Sequence, residues 1–400
     1  MPRSYRGLIT TLGLLACSGS ASGAIEPRFR AVEIDPEVGI GYGVAVADVD
    51  GDRRPDILLV DRDTVAWYQN PSWSKHRITG KLTPHDHVCI AAADLDGDGK
   101  AEIAVGAGWN PSDTLDSGAL FYLLPPSDRT QPWEAVRLPH EPVVHRIRWA
   151  KDWQENWTLI SVPLHGRGNN PQSGEGTGVR IQRYTLPENP RDVWNSRLID
   201  DSLHKTHNFD VVQWDEDTAH ELLIGGKEGL FLSNWSATQN RLELTRLGTN
   251  DIGGVGEVRA GTLGDGKPFI ATVEPMHGHT LALYSPSDNP SAGAPWQRRV
   301  LDESIIDGHA LACGDLLGLG RDQIVVGWRA MNRPAPTRVG IKMFVPLDPE
   351  GREWRMHLID DNTMACEDLQ LADLNGDGKL DVAAAGRATH NLKIYFNETP

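Results

Sequence analysis

Histidine and glutamate recur at one spacing along this chain. The residues that stand six positions ahead of a loop joining two apolar, strand-like runs include His145, His207, His309 and Glu367, and His87 lies one residue from the same position. Imidazole nitrogens and carboxylate oxygens are ligands that zinc or a similar divalent metal prefers. Such a metal can polarise a carbonyl or activate a bound water. The spacing therefore marks these five residues as candidate metal ligands.

A second set of reactive side chains follows the second apolar run of several copies. Its members are His165, Arg167, His277, Arg329, Arg387 and His390. Arginine can hold a carboxylate or a forming enolate, and a histidine that binds no metal can transfer protons near neutral pH. We expect these six residues to be catalytic, with His165 as the base. The alternative is that histidines in this region only bond one another or ordered water.

Acidic loops punctuated by glycine form a third set. In three copies the oxygen-bearing residues are Asp48, Asp50, Asp52 and Asp56; Asp94, Asp96, Asp98 and Glu102; and Asp373, Asn375, Asp377 and Asp381. Side chains at alternate loop positions can surround a hard cation, which takes several oxygen ligands. We expect structural calcium, or magnesium, in these loops. Asx-type turns without a cation are the alternative.

The elements that must position all three sets are short strands. Seven copies of strand, loop and strand recur, as in AVADVDGDRRPDILLVD from Ala45 and LQLADLNGDGKLDVAAAG from Leu369, and most are followed by a third and a fourth apolar run. This pattern predicts an all-β fold, a seven-bladed β-propeller of four-stranded blades. The last copy lacks a fourth strand, and FRAVEID from Phe29 supplies one, so we expect the N-terminal strand to close the ring.

Propeller topology predicts that the histidines share one end of the central channel. The first strand of a blade is the innermost, and the second returns antiparallel to it, so the start of one and the end of the other lie on the same face. The acidic loops belong to the opposite face. Histidines at one equivalent position in a closed ring should therefore point to one axis.

Composition and the N-terminal residues indicate the partners and the cellular location to expect. The formal net charge of −16 argues against nucleic acid as a partner. Residues 1–24 have the basic, apolar and small-residue parts of a signal peptide, which leaves 25–400 as one domain, and no run is long enough to span a membrane. Leu14–Cys17 resembles a lipobox, so we expect an exported protein of the bacterial periplasm or a lipoprotein anchored through Cys17 in the outer membrane; ordinary cleavage after Ala24 is the alternative.

Two family resemblances rest on these residues. DVDGDRRPDILLV, DLDGDGKAEIAVG and DLNGDGKLDVAAAG resemble FG-GAP (VCBS-type) repeats, which implies the fold. EPVVHRIRW, VPLHGRG, HKTHNFDVVQWD and DGHALACGDL are similar to the propeller domain of the aldos-2-ulose dehydratase family. That resemblance implies removal of water from keto-sugars such as 1,5-anhydro-D-fructose or glucosone. The isomerising step, which it assigns to cupin domains after the propeller, is not expected of this chain.

Together these patterns predict a carbon–oxygen lyase. A metal and a histidine at the propeller mouth would act on a keto-sugar, and the same chemistry could cleave a 3-keto-glycoside. Two alternatives stay open: a polysaccharide lyase acting on uronate-containing glycans, and a non-catalytic propeller that binds glycan or protein at the cell surface. Several inward histidines at one equivalent position favour the enzyme.

Overall fold

The computed structural model describes residues 25–236, 238–248, 252–287, 296–331 and 338–400. The predicted signal peptide and Cys17 lie outside these residues. The described residues form twenty-eight strands and contain no helix, and therefore none that is long and apolar enough to cross a membrane. The predicted all-β class is confirmed.

The strands form seven four-stranded antiparallel sheets, which are the blades of a β-propeller. Blade 1 contains β2 (Gly43–Ala47), β3 (Asp56–Val60), β4 (Val65–Gln69) and β5 (Ser74–Thr79). Blade 2 contains β6 (Cys89–Ala93), β7 (Glu102–Ala107), β8 (Ala119–Leu124) and β9 (Glu134–Leu138). Blade 3 contains β10 (Val144–Lys151), β11 (Trp157–Pro163), β12 (Ile181–Thr185) and β13 (Asn195–Asp200).

The remaining blades repeat the plan. Blade 4 contains β14 (Thr206–Val212), β15 (Glu221–Gly226), β16 (Gly229–Ser236) and β17 (Arg241–Arg246). Blade 5 contains β18 (Val258–Thr262), β19 (Pro268–Glu274), β20 (Thr280–Ser285) and β21 (Gln297–Asp302). Blade 6 contains β22 (Gly308–Gly314), β23 (Gln323–Trp328), β24 (Gly340–Pro346) and β25 (Trp354–Asp361). Blade 7 contains β26 (Cys366–Ala372), β27 (Asp381–Gly386), β28 (Asn391–Asn397) and, from the other end of the chain, β1 (Phe29–Asp35).

Strand β1 closes the ring as predicted. It pairs antiparallel with β28, with Phe29 opposite Asn397 and Glu33 opposite Lys393. This pairing gives blade 7 its fourth strand and covers an edge that would otherwise present unpaired backbone groups.

The core lies between neighbouring blades. The second and third strands are almost wholly buried because both of their faces meet another blade, which explains continuous apolar runs such as DILLV in β3. Ile57 of blade 1, for example, packs in one cluster with Ile394 of blade 7. Outer strands alternate buried and exposed residues because one face meets solvent. This packing fixes how the innermost strands are arranged around the channel.

Candidate functional site

A β-bulge marks the predicted ring position in four blades. In each, one residue of the innermost strand has no partner in the register, while its neighbours pair with consecutive residues of the second strand. The unpaired residues are His145, His207, His309 and Glu367. A bulge adds one residue and redirects its side chain, a device common beside active sites. The backbone therefore singles out the residues that the spacing picked.

Three imidazoles meet at the channel mouth. One ring nitrogen from each of His207, His277 and His309 lies within 4.8 Å of the other two. The Nε2 atoms of His207 and His277 are 2.6 Å apart. His145 touches this imidazole cluster at the edge, with its ring centroid 5.0 Å from that of His207, and stacks on Trp109 at 4.9 Å. The structure thus joins residues from both predicted sets into one group.

An oxygen atom faces the Nδ1 of each imidazole in the cluster. Nδ1 of His309 lies 2.6 Å from the backbone carbonyl of Glu367, and Nδ1 of His207 lies 3.3 Å from Oε1 of Glu257. Nδ1 of His277 is 3.9 Å from a carboxylate oxygen of Asp307. At His309 the carbonyl accepts the Nδ1 proton, which leaves Nε2 with a free lone pair, the usual arrangement behind a metal-bound histidine. The Nε2 atoms of His207 and His277 lie at hydrogen-bond distance and share one proton between them.

Electrostatics at the mouth favour neutral imidazoles. Burial, and next the charge of Arg329, hold the pKa of His309 well below its usual range. Burial and the charge of Arg146 do the same for the pKa of His145, and burial lowers that of His277. Neutral imidazole is the form that binds a metal ion. Burial would raise the pKa of Glu257, but its contact with His207 and nearby arginines lower it to about 2, so this buried carboxyl is ionised.

Glu367 has a different role from the one predicted. Its Oε2 accepts a hydrogen bond of 2.6 Å from Nη1 of Arg329, and its Oε1 accepts one of 2.9 Å from Nη1 of Arg387. The carboxylate is 1% exposed, so these two guanidiniums occupy it. Asp307 also contacts Arg329, at 3.3 Å. Glu367 therefore anchors two arginines instead of joining the imidazole cluster.

The anchored arginines line an open cleft beside the imidazole cluster. This cleft has a volume of about 390 Å³, and Asp307, Arg329, Arg387 and His390 contribute its polar groups. Nδ1 of His390 faces the backbone carbonyls of Val38 and Gly39, at 3.1 and 2.9 Å. A ligand in this cleft would meet guanidinium donors on one side and the imidazole cluster nearby.

Three predicted residues stand apart from the imidazole cluster. Both ring nitrogens of buried His87 contact backbone groups, the carbonyl of Asp61 at 3.1 Å and the amide of Leu82 at 3.2 Å, so none is left for a metal. His165 is buried, with a pKa lowered to about 4 by burial and by Lys205, and no described ring contact links it to the imidazole cluster. Arg167 bonds the carbonyl of Leu115 and lies 3.4 Å from Glu141.

The structure adds one mouth residue that the predicted ligand set lacks. Glu257 lies beside the ring position of blade 5, where Val273 accepts a hydrogen bond from Gly256 and donates one to Glu257. This irregular pairing resembles the bulges of the other blades and brings the Glu257 carboxylate to His207. A glutamate next to the repeat position in blade 5 was the available sequence signal. It has the same offset of one residue as His87, but the predicted ligand set did not include it.

The acidic loops lie on the opposite face, as the topology requires. Carboxylate oxygens of Asp48, Asp50 and Asp56 approach within 4.8 Å of one another, as do those of Asp94, Asp96 and Glu102. Asp52 and Asp98 are not members of these groups. Each accepts an amide hydrogen bond within its own loop, as Asp48 and Asp94 also do. Asp373, Asp377 and Asp381 do not form a comparable group among the described residues. In blade 4, Asp215, Asp217 and Glu221 form such a group, which the comparison of the repeats in the sequence missed.

Fold and loops together define a β-propeller with one acidic face and one histidine-bearing mouth. The family model described as FG-GAP-like repeat matches residues 48–105, and the one described as FG-GAP repeat matches residues 90–123. The predicted resemblance to FG-GAP repeats is confirmed, and the chain is a seven-bladed propeller that contains them. Hydrazine synthase of Kuenenia stuttgartiensis shares this fold, with a TM-score of 0.55 and 9% identity over 96% of this chain and 100% of that chain.

The second resemblance is narrower. Residues 117–287 match the model described as Aldos-2-ulose dehydratase, beta-propeller domain. Aldos-2-ulose dehydratase of Phanerodontia chrysosporium is 22% identical in an alignment of 337 residues that covers 77% of this chain and 36% of that protein. This chain thus spans about a third of the curated relative's length. Residues 117–287, which match the family model, contain His145, His207 and His277 but end before His309.

Proposed function

We propose that this protein is a carbon–oxygen lyase that acts on keto-sugars at the propeller mouth. The observation that carries the proposal is the imidazole cluster, in which nitrogens from His207, His277 and His309 lie within 4.8 Å of one another. The likeness to the propeller of a dehydratase supports it.

The residues of the mouth fit a divalent metal such as zinc. Three imidazoles with oxygens on the Nδ1 side form a three-histidine set, which in zinc enzymes leaves a position for water or substrate. Buried Nδ1 of His207 and Oε1 of Glu257 have no hydrogen-bond partner of good geometry, although they lie 3.3 Å apart. A bound metal would supply Lewis acidity that polarises a ketone.

The side chains of the mouth provide binding and proton transfer. Arg329 and Arg387, held by Glu367, would donate hydrogen bonds to sugar oxygens in the cleft. His145 is neutral, adjoins the imidazole cluster and has a buried Nδ1 without a partner, so it would accept the proton from the carbon next to the ketone. The electrons of that C–H bond form a double bond, and the hydroxyl on the next carbon leaves as water with the proton that His145 accepted.

The finer parts of the proposal follow from the sequence. The substrate would be 1,5-anhydro-D-fructose, glucosone or a 3-keto-glycoside, and the acidic loops would hold calcium as structural sites. Residues 1–24 and the lipobox at Cys17 would export the protein to the periplasm or anchor it in the outer membrane.

The test combines metal analysis with turnover. Purified protein should contain about one zinc or similar ion per chain besides calcium, and should generate ultraviolet enone absorbance from at least one of these sugars. Variants His207→Ala, His277→Ala and His309→Ala should lose the metal and the turnover. The control is His279→Ala, because His279 is exposed two residues further along the loop that carries His277.

Two outcomes would contradict the proposal. Protein that contains calcium alone and is inert on every sugar would support a non-catalytic propeller. Full turnover in His207→Ala and His309→Ala would show that any lyase activity resides elsewhere. Activity on uronate glycans in place of keto-sugars would correct the substrate.

A further inference from the structure

The three imidazoles of the cluster differ in what lies behind them. Nδ1 of His207 lies 3.3 Å from Oε1 of Glu257, and the two side chains are 3% and 2% exposed. His309 is backed by a backbone carbonyl, and the carboxylate of Asp307 is 3.9 Å from Nδ1 of His277. A carboxylate at Nδ1 fixes the tautomer of an imidazole and makes its other nitrogen a more basic metal ligand. Of the three imidazoles, His207 has this support at the shortest distance from a carboxylate.

The side chain of Glu257 is held in place by the residue that follows His207. Nδ2 of Asn208 donates a hydrogen bond to Oε2 of Glu257, and Oδ1 of Asn208 accepts one of 2.8 Å from the backbone amide of Phe209. The second bond orients the amide group so that its donor faces the carboxylate. Strand β14 thus carries both the imidazole and the group that holds its partner.

The backbone on either side of Glu257 also fixes its position. The amide of Val273 donates a hydrogen bond of 3.0 Å to the carbonyl of Glu257. A Cβ at Gly256 would lie 3.2 Å from Cα of Met276 and 3.3 Å from the backbone nitrogen of His277. Glycine at this position allows the two backbones to approach closely. The segment that carries Glu257 therefore packs against the loop that carries a second imidazole of the cluster.

Glu257 also takes part in the charge balance of the channel, and a matched residue separates that part from its contact with the cluster. Burial would lower the pKa of Arg259, but the charges of Asp210 and Glu257 raise it. Asp210 therefore carries the same charge near the same guanidinium. Its oxygens face backbone amides instead of an imidazole, those of Val211 at 3.2 Å and Ala260 at 3.4 Å.

We propose that Glu257 is a positioning residue that sets the metal affinity of the imidazole cluster through His207. Its carboxylate holds the Nδ1 proton of His207, which leaves Nε2 of that ring as an acceptor for the metal. The inference rests on the proposed function for the metal and adds the residue that tunes it. It assigns Glu257 no contact with the metal or the sugar.

The experiment measures zinc affinity by competition with a chromophoric chelator, on the full chain with calcium at a saturating concentration. Glu257→Gln keeps the shape of the side chain and removes its charge. Asn208→Ala keeps that charge and removes the hydrogen bond that holds it. The control is Asp210→Asn, which removes one charge from the same channel. Circular dichroism establishes that each variant is folded.

Glu257→Gln should raise the zinc Kd about 10–100-fold, the usual cost of losing a group behind a metal ligand. Asn208→Ala should raise the Kd less, and Asp210→Asn least. An unchanged Kd in Glu257→Gln would overturn the proposal. An equal rise in Asp210→Asn would also overturn it, because channel charge alone would then explain the effect. If Glu257→Gln did not fold, a Kd in Asn208→Ala no higher than in Asp210→Asn would overturn it.

Turnover measured on the same preparations separates this proposal from the proposed function. A wild type that loses zinc affinity on Glu257→Gln substitution but is inert on every keto-sugar would overturn the lyase alone. Turnover by zinc-loaded wild type, with the Kd unchanged in Glu257→Gln, would overturn the role of Glu257 alone. A wild type that binds no zinc would overturn both.

Discussion

Replacing Glu367 by glutamine distinguishes the role that the structure gives this residue from the one that the sequence predicted. As a metal ligand, Glu367 should be needed for metal content. As the buried anchor of Arg329 and Arg387, at 2.6 and 2.9 Å, it should be needed mainly for stability. We expect Glu367→Gln to retain its channel metal while it loses stability, because the substitution removes the charge and leaves the shape.

The magnitude follows from the burial of the pair. The Arg329 side chain is 10% exposed and keeps only Asp307 as an acidic partner in Glu367→Gln among the described residues. Breaking a buried charge pair typically costs about 3–5 kcal/mol. With an unfolding entropy of about 2 cal/mol/K per residue, a domain of this size has about 0.8 kcal/mol/K in total, so Tm should fall by about 4–6 °C.

The assay is a thermal melt together with metal analysis on the same preparations. The control is Glu398→Gln, since Glu398 pairs with Arg30 at 2.5 Å but both side chains are 54% exposed. Such an exposed pair contributes little, so that Tm should not change measurably. A folded Glu367→Gln protein that had lost its metal, with Tm unchanged, would show that Glu367 is a ligand and that this account of the mouth is wrong.

Three further predictions concern the acidic face and the ring closure. Calcium at about a hundred times its Kd should stabilise the protein by about 2.7 kcal/mol. In a thermal melt, the double variant Asp48→Asn/Asp50→Asn should gain less stability from calcium than the wild type. Burial raises the pKa of Asp56 and of Glu102 to about 7, above the value of about 4 in an unfolded chain. The calcium-free folded state therefore binds more protons than the unfolded state. In urea melts the stability should fall as pH rises from about 5 to about 8, and a rise would contradict this reasoning. Deleting residues 25–35 removes β1 and exposes the edge of β28, so light scattering should detect association that the intact chain lacks.

The fold was predictable because its signals are repeated. Each blade must bury the same faces, so the pattern of strand, loop and strand recurs seven times, and weak patterns reinforce one another. Ring closure was predictable for a related reason. The last copy lacked one strand, and the N-terminal segment that contains Phe29 matched it.

The chemistry of the mouth was only partly predictable, because it depends on backbone irregularities that leave no mark in the sequence. Spacing found His207 and His309, but not the bulges that redirect them. Spacing also could not show that two arginines occupy Glu367, or that backbone groups occupy both nitrogens of His87. These partners come from other blades or loops, and their distances appear only after the ring is packed.

The imidazole cluster is a property of the ring and not of any blade. Its members come from blades 4, 5 and 6, and no single hairpin contains two of them. One apolar cluster joins blades 4 and 5, for instance through Leu223 and Ile270, and another joins blades 5 and 6. A core substitution between these blades would therefore change the distances between ligand nitrogens without touching a ligand. Because close packing transmits small shifts, metal affinity should respond to such substitutions more strongly than to equal changes between blades 1 and 2.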